Sequence, residues 1–135
     1  MSQPVILYVE DNPESREILQ FVVEVIMGFE QLTVFEDSTD FEAKVATLDP
    51  TPTIILLDIH MTPYTGFEML KMVRADTKYQ DIPVIALTAS VMSEEVKELK
   101  DAGFDGVIAK PLDVDRFPNH LEAITKGEKL WNITD

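Results

Sequence analysis

Four apolar runs in this 135-residue chain end in side chains that can do chemistry. Val5-Ile6-Leu7-Tyr8-Val9 runs into Glu10-Asp11, and Thr53-Ile54-Ile55-Leu56-Leu57 runs into Asp58. Val84-Ile85-Ala86-Leu87 runs into Thr88, and Gly106-Val107-Ile108-Ala109 into Lys110. Each has an ordinary explanation taken alone; an Asp after a strand often caps the next loop or helix. Together they are three carboxylates, a hydroxyl and an amine. Clustered carboxylates repel, and their ionised forms need compensation. Hard oxygen donors suit Mg²⁺ or Mn²⁺, and no Cys or third anchoring His offers a softer site. A divalent cation turns an acidic pocket from repelling phosphate to receiving it. The ammonium adds a second positive charge on a developing oxyanion, and an Asp carboxylate is a nucleophile for phosphoryl groups. The set implies metal-assisted phosphoryl transfer to or from Asp58.

These residues act together only if the strands share one edge. The run before Asp58 is apolar on both alternating faces, as in a strand buried on both sides. Asn12-Pro13 starts a helix, with Asn as N-cap and Pro at the first helical position. Ile18, Val22, Val25 and Ile26 supply its inward spacing, and Gly28 ends it. Residues 31–36 form a second, less apolar strand, nearer an edge. Asp37-Ser38 is expected to cap a helix bearing Phe41, Val45 and Leu48. Asp49-Pro50-Thr51-Pro52 breaks the chain. A loop over residues 59–65 precedes Gly66 and a helix with Phe67, Leu70 and Val73 inward. Ser93 is expected to cap a helix carrying Val96 and Leu99, closed by Gly103. The last helix carries Val114, Phe117, Leu121 and Ile124. Pro118 is tolerated there only in a first turn, so the regular helix is expected to begin near Asp115. Strand and helix alternate five times. That pattern implies an α/β fold, a parallel sheet with helices on both faces and right-handed crossovers, whose strand ends are where ligands collect.

The totals narrow the function further. The length fits one domain, and 45% apolar residues are enough for a core. Eleven basic against 25 acidic residues give a net charge of −14. Such a surface repels nucleic acid and anionic membrane, so neither is an expected partner. The absence of Cys excludes disulfides, Cys-ligated zinc and thiol catalysis. There is no signal-like N-terminus and no apolar run near the roughly 18 residues of a membrane span. A cytoplasmic location is expected. No internal repeat of about 20–50 residues is present beyond the strand–helix alternation.

The acidic pair Glu10-Asp11, Asp58 with Gly66 eight residues on, Thr88-Ala89 and Lys110-Pro111 together resemble the receiver domain of two-component response regulators, including CheY-like stand-alone forms. The resemblance spans roughly residues 4–126. It implies a flavodoxin-like doubly wound sheet of five parallel strands in the order 2-1-3-4-5. It implies a receiver domain over residues 1–126 and a C-terminal tail over 127–135, frayed unless Trp131 docks. By the same resemblance Asp58 accepts a phosphoryl group from a sensor histidine kinase or histidine phosphotransfer protein. Asp11, Asp58 and the carbonyl of His60 bind Mg²⁺, with Glu10 acting through a water. Thr88 and Lys110 contact the phosphoryl group, and the Lys110–Pro111 bond is cis. The protein is then a phosphoacceptor rather than an enzyme acting on other substrates. It assists its own phosphorylation and dephosphorylation, and it signals to a downstream protein target through the fourth helix, fifth strand and fifth helix. The chain departs from the family pattern at Thr62, where Pro is usual (Pro63 comes one later). It also departs at Val107, where an aromatic is usual, and at Leu112, where Phe is frequent.

Three rival readings fit the residues less well. A haloacid-dehalogenase-type aspartyl phosphatase needs Asp-x-Asp-x-Thr, but Asp58-Ile59-His60-Met61-Thr62 has His at the second acid's place. A flavodoxin-type flavin carrier needs a hydroxyl- and Gly-rich phosphate loop after the first strand, where this chain has Glu10-Asp11-Asn12-Pro13. A receiver that only binds would lack the acceptor, hydroxyl or lysine, and all are filled. The imidazole of His60 is expected to gate water, and His120 to lie on an exposed helix face. The six Met residues are expected to be filler.

Overall fold

A computed structural model describes residues 3–131. Five parallel strands lie in the order β2-β1-β3-β4-β5: β1 Ile6–Val9, β2 Leu32–Phe35, β3 Ile54–Asp58, β4 Val84–Thr88 and β5 Gly106–Ala109. The helices are α1 Pro13–Gln20, continued by a π-helical stretch Phe21–Ile26, α2 Phe41–Ala46, α3 Gly66–Ala75, α4 Ser93–Ala102 and α5 Phe117–Thr125. This is the flavodoxin-like architecture anticipated above.

Alternation along each strand divides the core into two layers. Leu7, Val9, Ile55, Leu57, Val84, Ala86 and Val107 face Phe41, Met69, Leu70, Val73 and Leu99 of α2, α3 and α4. Ile6, Tyr8, Ile54, Leu56, Ile85, Leu87 and Ile108 face Leu19, Val22 and Val23 of the first helix and Phe117, Leu121 and Ile124 of α5. β1, β3 and β4 are buried on both faces, whereas every residue of the edge strand β2 is half-buried.

Several local expectations are corrected. Asn12 does cap α1, its side chain accepting from the Ser15 N–H with Pro13 at the first position. The inward face is Leu19, Val22 and Val23, at i, i+3 and i+4, which leaves Ile18 and Val25 exposed. Ile26, at i+7 from Leu19, is also exposed at the end of the π-helical stretch, whose wider turn departs from the regular period. Ser93 is not a cap: Met92 precedes α4 and no side chain caps it. α3 is capped by Thr65, which forms a reciprocal capping box with Glu68. Pro118 does fall in the first turn of α5, but that helix starts at Phe117, so Val114 lies before it and is exposed. His120 is half-buried rather than exposed, and its Nδ1 is buried without a partner.

Ser38 is corrected most instructively. The residue before α2 is Asp40, at φ 52° with no capping bond. Ser38 is instead fully buried. Its hydroxyl donates to the Tyr64 carbonyl at 2.8 Å and accepts from the Tyr64 N–H at 2.7 Å. It ties the loop after β2 to the loop after β3, which leads into α3. Ser38→Ala leaves both Tyr64 groups unpaired and is predicted to cost about 1–3 kcal/mol. The measurement is a lower urea midpoint at unchanged slope.

Candidate functional site

Parallel pairing puts the C-terminal ends of β1, β3, β4 and β5 on one edge. The register aligns Val9 with Leu57, Asp58 with Leu87 and Thr88 with Ala109. Glu10, Asp58, Thr88 and Lys110 are thereby brought together, with Asp11 beside them. Carboxylate oxygens of Glu10, Asp11 and Asp58 lie within 4.8 Å of one another. Glu10 and Asp58 are buried and Asp11 is exposed, so the cluster opens to solvent on the Asp11 side.

Lys110 is the cation that holds this cluster. Its Nζ lies 2.9 Å from Glu10 Oε1 and 3.2 Å from Asp58 Oδ2. Burial works against the ammonium, yet the two carboxylates outweigh it and hold its pKa above the ordinary lysine value. Glu10 moves the other way from a usual salt-bridged acid. Burial, reinforced by the hydrogen bond and charge of Asp58, pushes its carboxyl up despite Lys110. One cation therefore does not fully compensate the acids here.

The surrounding backbone completes the positioning. Lys110 follows β5 directly, and its N–H donates to the Thr88 carbonyl at 2.9 Å. The Lys110–Pro111 bond is cis, as the resemblance implies. Asp58 Oδ1 accepts the His60 N–H at 3.2 Å, which places His60 against the end of β3 through its backbone. Thr88 is buried, and its Oγ1 accepts from the Ser90 N–H at 3.1 Å. Gly66 lets α3 approach this edge. A Cβ there would sit 2.9 Å from the Asp58 carbonyl oxygen and 2.8 Å from Ile59 Cδ1. Its N–H donates to the Ile59 carbonyl at 3.0 Å.

Two residues with a part in this geometry were missed in the sequence. The buried Tyr8 hydroxyl donates to Glu10 Oε1 at 3.1 Å, and the guanidinium of Arg16 donates to the Glu10 carbonyl at 3.0 Å. The first had a signal: residues two apart on a strand share a face. The second depends on how α1 leaves β1 and had none. Every candidate site residue lies at this edge. His60 and Asp11 also line an open hollow with Met61, Thr62 and Thr65.

Comparison with known proteins points to one family and one fold. The family model described as the response regulator receiver domain matches residues 6–122. The polar-differentiation response regulator DivK of Brucella ovis is 30% identical over 112 residues, covering 83% of this chain and 88% of that protein. The chemotaxis response regulator CheY4 of Vibrio cholerae superposes with a TM-score of 0.81 at 25% identity, over 91% of this chain and 99% of that one. The receiver domain of sensor histidine kinase PA1611 from Pseudomonas aeruginosa PAO1, a structure with magnesium in its active-site cleft, gives a TM-score of 0.79 at 22% identity, over 93% of this chain and 99% of that one.

The raised Glu10 carboxyl makes a prediction with a definite sign. A group whose folded pKa lies above its unfolded value contributes stability at pH below the unfolded value and loses it as pH rises through the folded one. In chelator at neutral pH, Glu10→Gln is therefore expected to melt above the wild type. The gap should close as pH falls to about 4, near the ordinary carboxyl value. A pH series of melting curves checks it; a variant less stable at every pH would contradict the assignment.

Proposed function

The chain belongs to the family of response regulator receiver domains, and from that premise we propose that Asp58 accepts a phosphoryl group from a phosphohistidine of a sensor histidine kinase or histidine phosphotransfer protein. The observation that carries this reading is the buried Asp58 carboxylate at the end of β3, with Lys110 on one oxygen and the His60 N–H on the other. A carboxylate oxygen forms the new O–P bond as the P–N bond breaks, and the electron pair leaves with the imidazole nitrogen. Lys110 follows charge onto a phosphoryl oxygen, and the Thr88 hydroxyl turns from its local bond to donate to another. The same groups assist hydrolysis of the acyl phosphate, so the protein is a phosphoacceptor that takes part in its own phosphorylation and dephosphorylation.

The donor set fits a hard divalent ion, since Glu10, Asp11 and Asp58 offer only carboxylate oxygens, within 4.8 Å of one another. Mg²⁺ would be held by Asp11, Asp58 and the His60 carbonyl, with Glu10 acting through a water, and it would supply charge neutralisation for the incoming phosphoryl group. The magnesium in the cleft of the PA1611 receiver supports that choice of ion. Tyr8 and the Asn12 N–H, which reaches Glu10 Oε2 at 3.2 Å, keep Glu10 oriented when Lys110 turns away.

The domain proper is read as residues 1–126 and the tail as 127–135. The signal passes to a downstream protein through α4, β5 and α5. A net charge of −14 argues against direct binding to nucleic acid or anionic membrane. No helix of the described residues is long and apolar enough to cross a membrane, and a cytoplasmic setting is part of the proposal.

Two measurements test the reading. Acetyl phosphate with Mg²⁺ should add one labile phosphoryl group by intact mass, absent in Asp58→Asn; equal labelling of that variant would remove the central claim. Asp11→Ala should weaken Mg²⁺ binding by calorimetry, and an unchanged affinity would misplace the metal.

A further inference from the structure

The family match ends at residue 122, yet the chain beyond α5 is not loose against the fold. Gly127, at φ 90° with nothing near its Cβ position, turns the chain back toward the sheet. Leu130 then forms a parallel bridge with Gly106 on the open side of β5. The Leu130 N–H donates to the Asp105 carbonyl at 3.2 Å, and the Val107 N–H donates to the Leu130 carbonyl at 2.9 Å. On either side, Lys129 pairs with the Asp105 carboxylate, and Lys100 of α4 stands 5.3 Å from the centre of the Trp131 ring. Leu130 packs against the α1–α5 layer of the core and Trp131 against the opposite layer.

β5 is shaped for this contact. At Gly106 a Cβ would sit 2.8 Å from the Leu130 carbonyl oxygen and 2.9 Å from Leu130 Cβ. Asp105, which takes Lys129, is itself anchored by Arg74 at 2.8 Å and by the Val84 N–H at 2.9 Å. The attachment is nevertheless slight. It is a single bridge reached through a glycine turn, with Lys129 exposed and Leu130 and Trp131 only half-buried. An open strand edge with a ready anchor is a template for an extended segment.

We propose that the edge of β5 with the flank of α4 is a docking groove for an extended basic–aliphatic–aromatic segment, and that residues 129–131 of this chain are its occupant in cis. A partner that uses this edge must displace the tail. The tail therefore acts as a built-in competitor on the face proposed for output. The groove itself does not depend on the phosphoacceptor reading.

The test uses the full chain and a fluorescent peptide with the sequence of residues 127–135. Leu130→Asp should release the tail and shift the emission of Trp131, the sole tryptophan, to the red. The peptide should bind that variant at least about tenfold tighter than the wild type, whose tethered tail competes at high effective concentration. Adding Gly106→Ala should abolish peptide binding, because the new methyl meets the Leu130 position. A peptide with Lys129→Glu should bind several-fold more weakly, a readout that leaves the folded chain untouched. Unshifted Trp131 emission in Leu130→Asp, equal peptide binding by both chains, or no binding by the released variant at millimolar peptide would each overturn the proposal. Concentration-dependent Trp131 emission with dimer formation in the wild type would overturn the cis assignment. No arm involves Asp58, so failure here is separate from failure of phosphorylation.

Discussion

One ammonium among three carboxylates is the constraint on which the structure turns. Lys110 lies 2.9 Å from Glu10 and 3.2 Å from Asp58, and both acids are buried. Removing it would leave uncompensated buried charge, a more costly state than the pair itself. Its pKa is held up while that of Glu10 is also pushed up, by burial first. The site is thus short of positive charge, a shortage that a divalent cation would relieve.

That electrostatic arrangement needs a sheet that does not yield. β1, β3 and β4 are buried on both faces, and each layer of side chains is closed by helices from its own side. The edge is kept tight by close approaches. Gly66 brings α3 against the Asp58 carbonyl, and Ser38 fastens the neighbouring loop to Tyr64. Such packing has little slack, so the strand-end edge inherits its geometry from the core. The two outer strands differ. β2 is half-buried along its length, while β5 is met on its open side, at Gly106, by the returning tail.

The exposed apolar side of the first helix has the same physical origin as the misread inward face. Ile18, Phe21, Val25 and Ile26 are 37%, 52%, 66% and 48% exposed, because the helix turns Leu19, Val22 and Val23 to the sheet instead. Both Ile18-Val22-Val25 and Leu19-Val22-Val23 are helical spacings, so the period alone does not choose between them. The choice depends on how the helix fits against α5 and β1, not on its own pattern.

The sequence by itself determined the strand-end chemistry. Strand runs, N-cap Asn12, the prolines and the placement of Asp58, Thr88 and Lys110 are local patterns, and right-handed parallel crossovers convert them into one edge. The candidate residues therefore lie together at that edge. What only the tertiary structure decided was the set of long-range ties outside that edge. Ser38 looked like a cap and became a tie to a residue 26 positions away. Arg74 reached the Asp105 carboxylate, and the tail found an edge shaped by Gly106. A hydroxyl, a guanidinium or a short apolar tail carries no local period. Its role is set by whichever unpaired group or open edge the folded chain brings within reach.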